Sequence, residues 1–140
     1  METPKLYYVI DDDTDDQKYL IEALKENDQF VQCVTATNGQ EALAKLKTAF
    51  PLPDVIFLDL NMPGINGKKC LVEIKQVPSL QHIPVIICST SSNAKEIKQT
   101  MEMGAFHFLV KQSSFDNLKA QLFSVIALVK TANKNIGQTC

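Results

Sequence analysis

Five polar positions stand directly beyond short apolar runs, and their types are those of metal and phosphoryl chemistry. Asp11 and Asp12 follow Leu6-Tyr7-Tyr8-Val9-Ile10, and Asp59 follows Val55-Ile56-Phe57-Leu58. Ser89 follows Val85-Ile86-Ile87-Cys88, and Lys111 follows Phe106-His107-Phe108-Leu109-Val110. If the apolar runs are neighbouring strands, three carboxylates, a hydroxyl and an ammonium meet on one rim. Two carboxylates about 5 Å apart repel by roughly 3 kcal/mol at an effective dielectric near 20, and one of them must raise its pKa unless a cation intervenes. A hard divalent cation removes the repulsion, and magnesium commonly uses one or two carboxylates with water and a phosphoryl oxygen. With Asp59 as nucleophile, and a hydroxyl and a lysine to hold phosphoryl oxygens, the parts of an aspartyl-phosphate site are present.

The elements that must position these groups are legible in the hydropathy pattern. Short apolar runs separated by helical patterns read as buried strands of a parallel sheet, where ligands bind beyond the carboxyl ends. The alternation repeats five times without a low-complexity insert. The first helix is expected to open at Thr14, with Gln17 at capping-box spacing, and to run to about Lys25. Phe30 to Ala36 reads as the second strand. Asn38-Gly39 starts the second helix, which buries Ala42, Leu43 and Leu46 and is stopped by Pro51 and Pro53. Gly64 and Gly67 precede the third helix, through Cys70, Leu71 and Ile74, and Gly104 ends the fourth. The last helix is expected near Ser113, with Asp116 three residues on and a stripe at Phe115, Leu118, Leu122, Val125, Ile126 and Val129. Residues 133–140 read as a frayed polar tail.

In that order, Val9-Ile10-Asp11-Asp12-Asp13, Phe57-Leu58-Asp59-Leu60-Asn61-Met62-Pro63-Gly64, Ile87-Cys88-Ser89-Thr90-Ser91, Gly104-Ala105 and Val110-Lys111 resemble the receiver domain of two-component response regulators. The resemblance runs from about residue 5 to 131. It implies a flavodoxin-like, doubly wound α/β fold, a five-stranded parallel sheet of order 2-1-3-4-5 with helices on both faces, in a single domain over 1–140. It also implies that Asp59 accepts a phosphoryl group from a phosphohistidine. Asp12, Asp59 and the backbone carbonyl of Asn61 would bind Mg2+, with Asp11 supporting the metal through water. Ser89 and Lys111 would contact the phosphoryl oxygens, and Phe108 occupies the place of the switch aromatic. Such a chain is a phosphoacceptor switch, catalysing at most its own phosphorylation and dephosphorylation. The implied donor is a sensor histidine kinase or a histidine phosphotransfer protein, and the signal leaves through an unnamed protein target, with a homodimer also compatible. Two departures stand out. Lys111 is followed by Gln112 where family members generally carry proline, which predicts a trans peptide bond there. Thr90 is bulkier than the family's usual Ala or Gly and narrows the approach to the phosphoryl group. Both keep open a phosphorylation-independent binding module as the alternative.

Size and composition bound the remaining possibilities. At 140 residues there is room for one core, and no second folded output domain fits. All 14 basic residues are lysine, and the net charge is -2. Lacking the side chain best suited to guanine edges, the chain is not expected to read nucleic acid directly. No apolar run reaches the length of a signal or membrane span, so no membrane insertion and a cytoplasmic location are expected. Cys33, Cys70, Cys88 and Cys140 form no CxxC pair and read as free thiols.

Other residues have plainer readings. Asp13, Asp15 and Asp16 suit a helix-capping acidic turn, and His82 and His107 read as surface or packing residues. Phe123 and Leu128, off the main stripe, fit either a partner surface or broad burial. A phosphatase or dehalogenase would want an acid two residues after the nucleophile, where Asn61 cannot donate a proton. A flavin-type phosphate loop would want Ser, Thr or Gly after the first strand, where three aspartates stand.

Overall fold

The structure, a computed structural model, describes residues 5–62, 66–111 and 113–138, with side chains as far as residue 133. Strands β1 (Leu6–Ile10), β2 (Gln32–Ala36), β3 (Val55–Asp59), β4 (Val85–Ser89) and β5 (His107–Val110) alternate with helices α1 (Thr14–Asn27), α2 (Gly39–Lys47), α3 (Gly67–Gln76), α4 (Ala94–Glu102) and α5 (Phe115–Gln138). All strand pairs are parallel, in the order β2-β1-β3-β4-β5. This is the flavodoxin-like arrangement expected from the sequence.

The two sheet faces carry separate cores. Tyr8, Ile10, Ile56, Leu58, Val85 and Ile87 pack with Leu43 and Leu46 of α2 and Leu71 and Ile74 of α3. Tyr7, Val9, Phe57, Ile86 and Leu109 pack with Ala23 and Leu24 of α1 and Leu118, Leu122 and Val125 of α5. Successive strand residues point to opposite faces, so a strand covered on both sides is apolar up to its last residue, where Asp59 ends β3 and Ser89 ends β4. Accordingly every residue of β3 and β4 is buried. Full burial contributes roughly 1.5–3 kcal/mol for each large aliphatic or aromatic side chain, and this anchors the strand ends against the polar groups placed there.

Several boundaries differ from the sequence expectation for local reasons. Asp13, not Thr14, caps α1, its Oδ1 accepting the Asp15 and Asp16 amides at 2.8 and 3.2 Å. Gln17 is buried instead of completing a capping box, and its amide donates to the Asp11 and Ala36 carbonyls at 2.7 and 3.0 Å. The helix continues to Asn27, two residues past the expected end. Strand β2 starts at Gln32 because Asp28 accepts the Phe30 amide at 3.0 Å and turns the chain, leaving Phe30 exposed. Ser114 rather than Ser113 caps α5, accepting the Asn117 amide at 3.3 Å. Helix α5 extends to Gln138, past the start of the expected polar tail, since propagating an established helix needs only one hydrogen bond per added residue. Gly104 takes a φ of 107° just after α4, the left-handed stop expected of it.

Phe123 and Leu128 are exposed, so broad burial does not account for them. His82 is exposed and His107 half-buried in β5. Cys33, Cys70 and Cys88 are free thiols. The turn expected at Gly64, the Lys111–Gln112 bond and Cys140 lie outside the described residues. No helix among the described residues is long and apolar enough to cross a membrane.

Candidate phosphoacceptor site

Strand order and register assemble the site. Ile10 lies opposite Leu58 in the β1–β3 pair, so Asp11 and Asp59 leave the sheet side by side. Asp59 lies opposite Cys88, and Ser89 opposite Val110, which places the Ser89 and Lys111 positions along the same rim. Backbone bonds tie the strand exits together: Asp11 N–H donates to the Ala36 carbonyl at 3.0 Å, Leu60 N–H to Cys88 at 3.1 Å, and Lys111 N–H to Ser89 at 2.7 Å.

Gly67 holds α3 against this rim. Its amide donates to the Leu60 carbonyl at 3.0 Å. A Cβ at this position would collide with the Asp59 carbonyl oxygen and stand 2.6 Å from the Leu60 Cα. Only glycine allows the helix start to touch the backbone that carries Asp59.

One carboxylate oxygen from each of Asp11, Asp12 and Asp59 lies within 4.8 Å of the others. Asp11 and Asp59 are 7% and 6% exposed, whereas Asp12 is open to solvent. The Asn61 side chain is exposed, while the Asn61 backbone N–H donates to Asp59 Oδ1 at 3.4 Å. Ser89 is fully buried, its hydroxyl accepting the Ser91 amide at 3.1 Å. Phe108 is half-buried and lines a surface groove with His107, Val125 and Leu128.

Lys111 closes the arrangement. Its Nζ lies 3.1 Å from Asp11 Oδ2, 3.2 Å from Asp16 Oδ2 and 3.5 Å from Asp59 Oδ1. The Asp16 contact is missing from the sequence reading, which takes Asp16 as part of a solvated capping turn. No local signal could have found it, because Asp16 and Lys111 stand 95 positions apart and meet only through the packing of α1 beside the exit of β5.

The electrostatics follow from this packing. Burial, then the neighbouring Asp11, pushes the Asp59 carboxyl up to about 6, while Lys111 and the Asn61 amide pull less strongly the other way. Burial alone would lower the Lys111 ammonium, but Asp59, Asp11 and the bonds to Asp11 and Asp16 hold it well above its ordinary range. Three acids against one cation leave an excess of negative charge, and the oxygen-only donor set of Asp11, Asp12 and Asp59 fits a hard divalent ion.

Comparison with known proteins agrees with this geometry. A family model described as the response regulator receiver domain matches residues 8–123. The chain belongs to this family. Response regulator Rcp1 from Synechocystis sp. is 31% identical to this receiver over 120 residues, covering 82% of each chain. The crystal structure of the phosphorylated cyanobacterial phytochrome response regulator RcpA superposes with a TM-score of 0.77 at 29% identity, over 99% of this chain and 97% of that one. The Mn2+-bound form of Rcp1 gives a TM-score of 0.76 at 29% identity, over 87% and 91%. The receiver is therefore a signalling module of the two-component type, with an acidic cluster where receivers are phosphorylated and bind divalent metal.

Proposed function

We propose that this receiver is a magnesium-dependent phosphoacceptor, with Asp59 as the residue phosphorylated. The observation that carries the reading is the convergence of Asp11, Asp12 and Asp59 within 4.8 Å, with the Lys111 ammonium 3.5 Å from Asp59. Bound Mg2+, held by Asp12, Asp59 and the Asn61 carbonyl with Asp11 behind a water, would neutralise charge on the carboxylates and the incoming phosphoryl oxygens. Asp59 is mostly ionised near neutral pH despite its raised pKa. Its free oxygen attacks phosphorus as the bond to the donor's histidine nitrogen breaks, giving an acyl phosphate. Lys111 is placed to turn one N–H onto a transferred oxygen. The Ser89 hydroxyl, now an acceptor for the Ser91 amide, has its own proton left to donate to a phosphoryl oxygen.

Movement of Ser89 toward the phosphoryl group would open room for Phe108 to turn inward, biasing a two-state equilibrium in the β4–α4 loop, α4 and β5. The donor is a sensor histidine kinase or a histidine phosphotransfer protein in the cytoplasm. The output is contact with another protein, or with a second copy, through exposed apolar positions such as Met101 on α4 and Phe123 and Leu128 on α5.

The decisive experiment is intact mass after incubation with acetyl phosphate, with and without magnesium, for the wild type and Asp59→Asn. A gain of one phosphoryl group that needs both magnesium and Asp59 is expected. Absence of any gain, together with undetectable magnesium binding, would favour a phosphorylation-independent binding module.

A further inference from the structure

We infer that Asp16 is a positioning residue for Lys111, its carboxylate keeping the ammonium within reach of the Asp59 phosphoryl position. This rests on the phosphoacceptor reading of Asp59. An ammonium has three N–H donors, and among the described residues Lys111 Nζ meets carboxylates of Asp11, Asp16 and Asp59. Two of these belong to the acidic cluster that would take metal and phosphoryl group. Of these partners, Asp16 stands outside it, so it is an acceptor that Lys111 can keep while the others change partners.

Asp16 is itself held in place. Its amide donates to the Asp13 cap at 3.2 Å. One turn along α1, the Tyr19 hydroxyl donates to the Ser113 carbonyl at 3.0 Å, and the Tyr19 and Phe115 rings meet edge to face at 5.3 Å. The first turns of α1 thus form a fixed platform beside the chain segment that follows Lys111. The Asp16 side chain is 50% exposed, and an ion pair in that setting adds little to stability. What it restricts is the set of directions open to a long, flexible lysine side chain.

The test uses the full chain at saturating magnesium, so that metal affinity drops out, and measures phosphoryl uptake from acetyl phosphate. Asp16→Asn is expected to slow uptake about tenfold, less than the ~100-fold loss that a misplacement of 1 Å can cause. Asp16→Glu should restore most of the rate. In a Lys111→Met background, Asp16→Asn should cause no further slowing, because the two residues act as one unit. Wild-type or faster uptake by Asp16→Asn, or the same tenfold slowing without Lys111, would overturn the assignment. A second readout needs no phosphorylation: the Lys111 ammonium resonance in 15N-lysine spectra, identified by its loss in Lys111→Met, should broaden away in Asp16→Asn. If the wild type takes up no phosphoryl group, the phosphoacceptor reading fails by itself. The resonance then decides about Asp16, persistence in Asp16→Asn counting against it.

Discussion

Replacing Asp59 by asparagine should stabilise the metal-free receiver, and the gain should grow with pH. The carboxyl is 6% exposed, and its pKa rises from 3.8 to about 6 on folding. A raised acid favours the folded state fully only below its unfolded value, so its contribution is present below about pH 3.8 and lost as pH climbs through 6. With each pKa unit equivalent to about 1.4 kcal/mol, the ionised wild type is destabilised by roughly 3 kcal/mol at pH 8. At pH 4.5 the same linkage leaves only about 1 kcal/mol. Asparagine matches the shape of the protonated acid, keeps an oxygen for the Asn61 amide and leaves Lys111 two carboxylate partners. Thermal unfolding in chelator should therefore show Asp59→Asn melting about 5–10 °C above wild type at pH 8, with a smaller gap at pH 4.5. Magnesium should narrow the gap by relieving the wild type alone. A variant no more stable than wild type at pH 8, or a gap constant across that range, would refute the electrostatic reasoning.

Three other outcomes are expected. Asp12→Asn should weaken magnesium binding beyond the ~10–100-fold typical of outer-shell changes, read from the magnesium dependence of the melting temperature. Gly67→Ala should cost about 1–3 kcal/mol, because the obstructing atoms are backbone; urea unfolding would show it as a lowered midpoint, and phosphoryl uptake should fall as Asp59 is displaced. Asp13→Ala should remove about 1 kcal/mol through the lost cap, while Thr14→Ala stays within about 0.5 kcal/mol, a contrast that urea midpoints can measure.

The legible part of this protein was its sheet, since strands buried on both faces have no freedom to alternate and show as unbroken apolar runs at β3 and β4. The strand exits then located Asp11, Asp59, Ser89 and Lys111 without knowledge of their distances. What escaped was set by side-chain geometry across elements far apart in the chain. Asp16 and Lys111 are separated by 95 positions, and nothing in local periodicity says that the first turn of α1 overhangs the exit of β5. Gln17 escaped for a related reason: its spacing from Thr14 fits a capping box, but the Ala36 carbonyl at the end of β2 offers its amide a buried partner. Local chemistry allowed two caps at the start of α1, and tertiary packing chose between them.

If Asp59 is the phosphoacceptor proposed above, the same electrostatic imbalance links folding to signalling. A cluster costing about 3 kcal/mol when fully ionised holds, in principle, a ~100-fold bias for whatever relieves it, at about 1.4 kcal/mol per factor of ten. That is the upper end of common allosteric couplings. A divalent cation relieves it by adding positive charge. On the proposed reading, phosphorylation would convert Asp59 from a buried carboxylate into an acyl phosphate whose charge sits further out, within reach of Lys111. The two events act on the same free energy, so they must be coupled: a metal that has already neutralised the cluster makes room for the phosphoryl charge, and a phosphoryl group that supplies new oxygens tightens the metal. By linkage, the factor by which magnesium favours phosphoryl uptake at equilibrium must equal the factor by which phosphorylation favours magnesium. Unequal factors would mean that phosphoryl uptake had not been read at equilibrium, as when the acyl phosphate hydrolyses during the measurement.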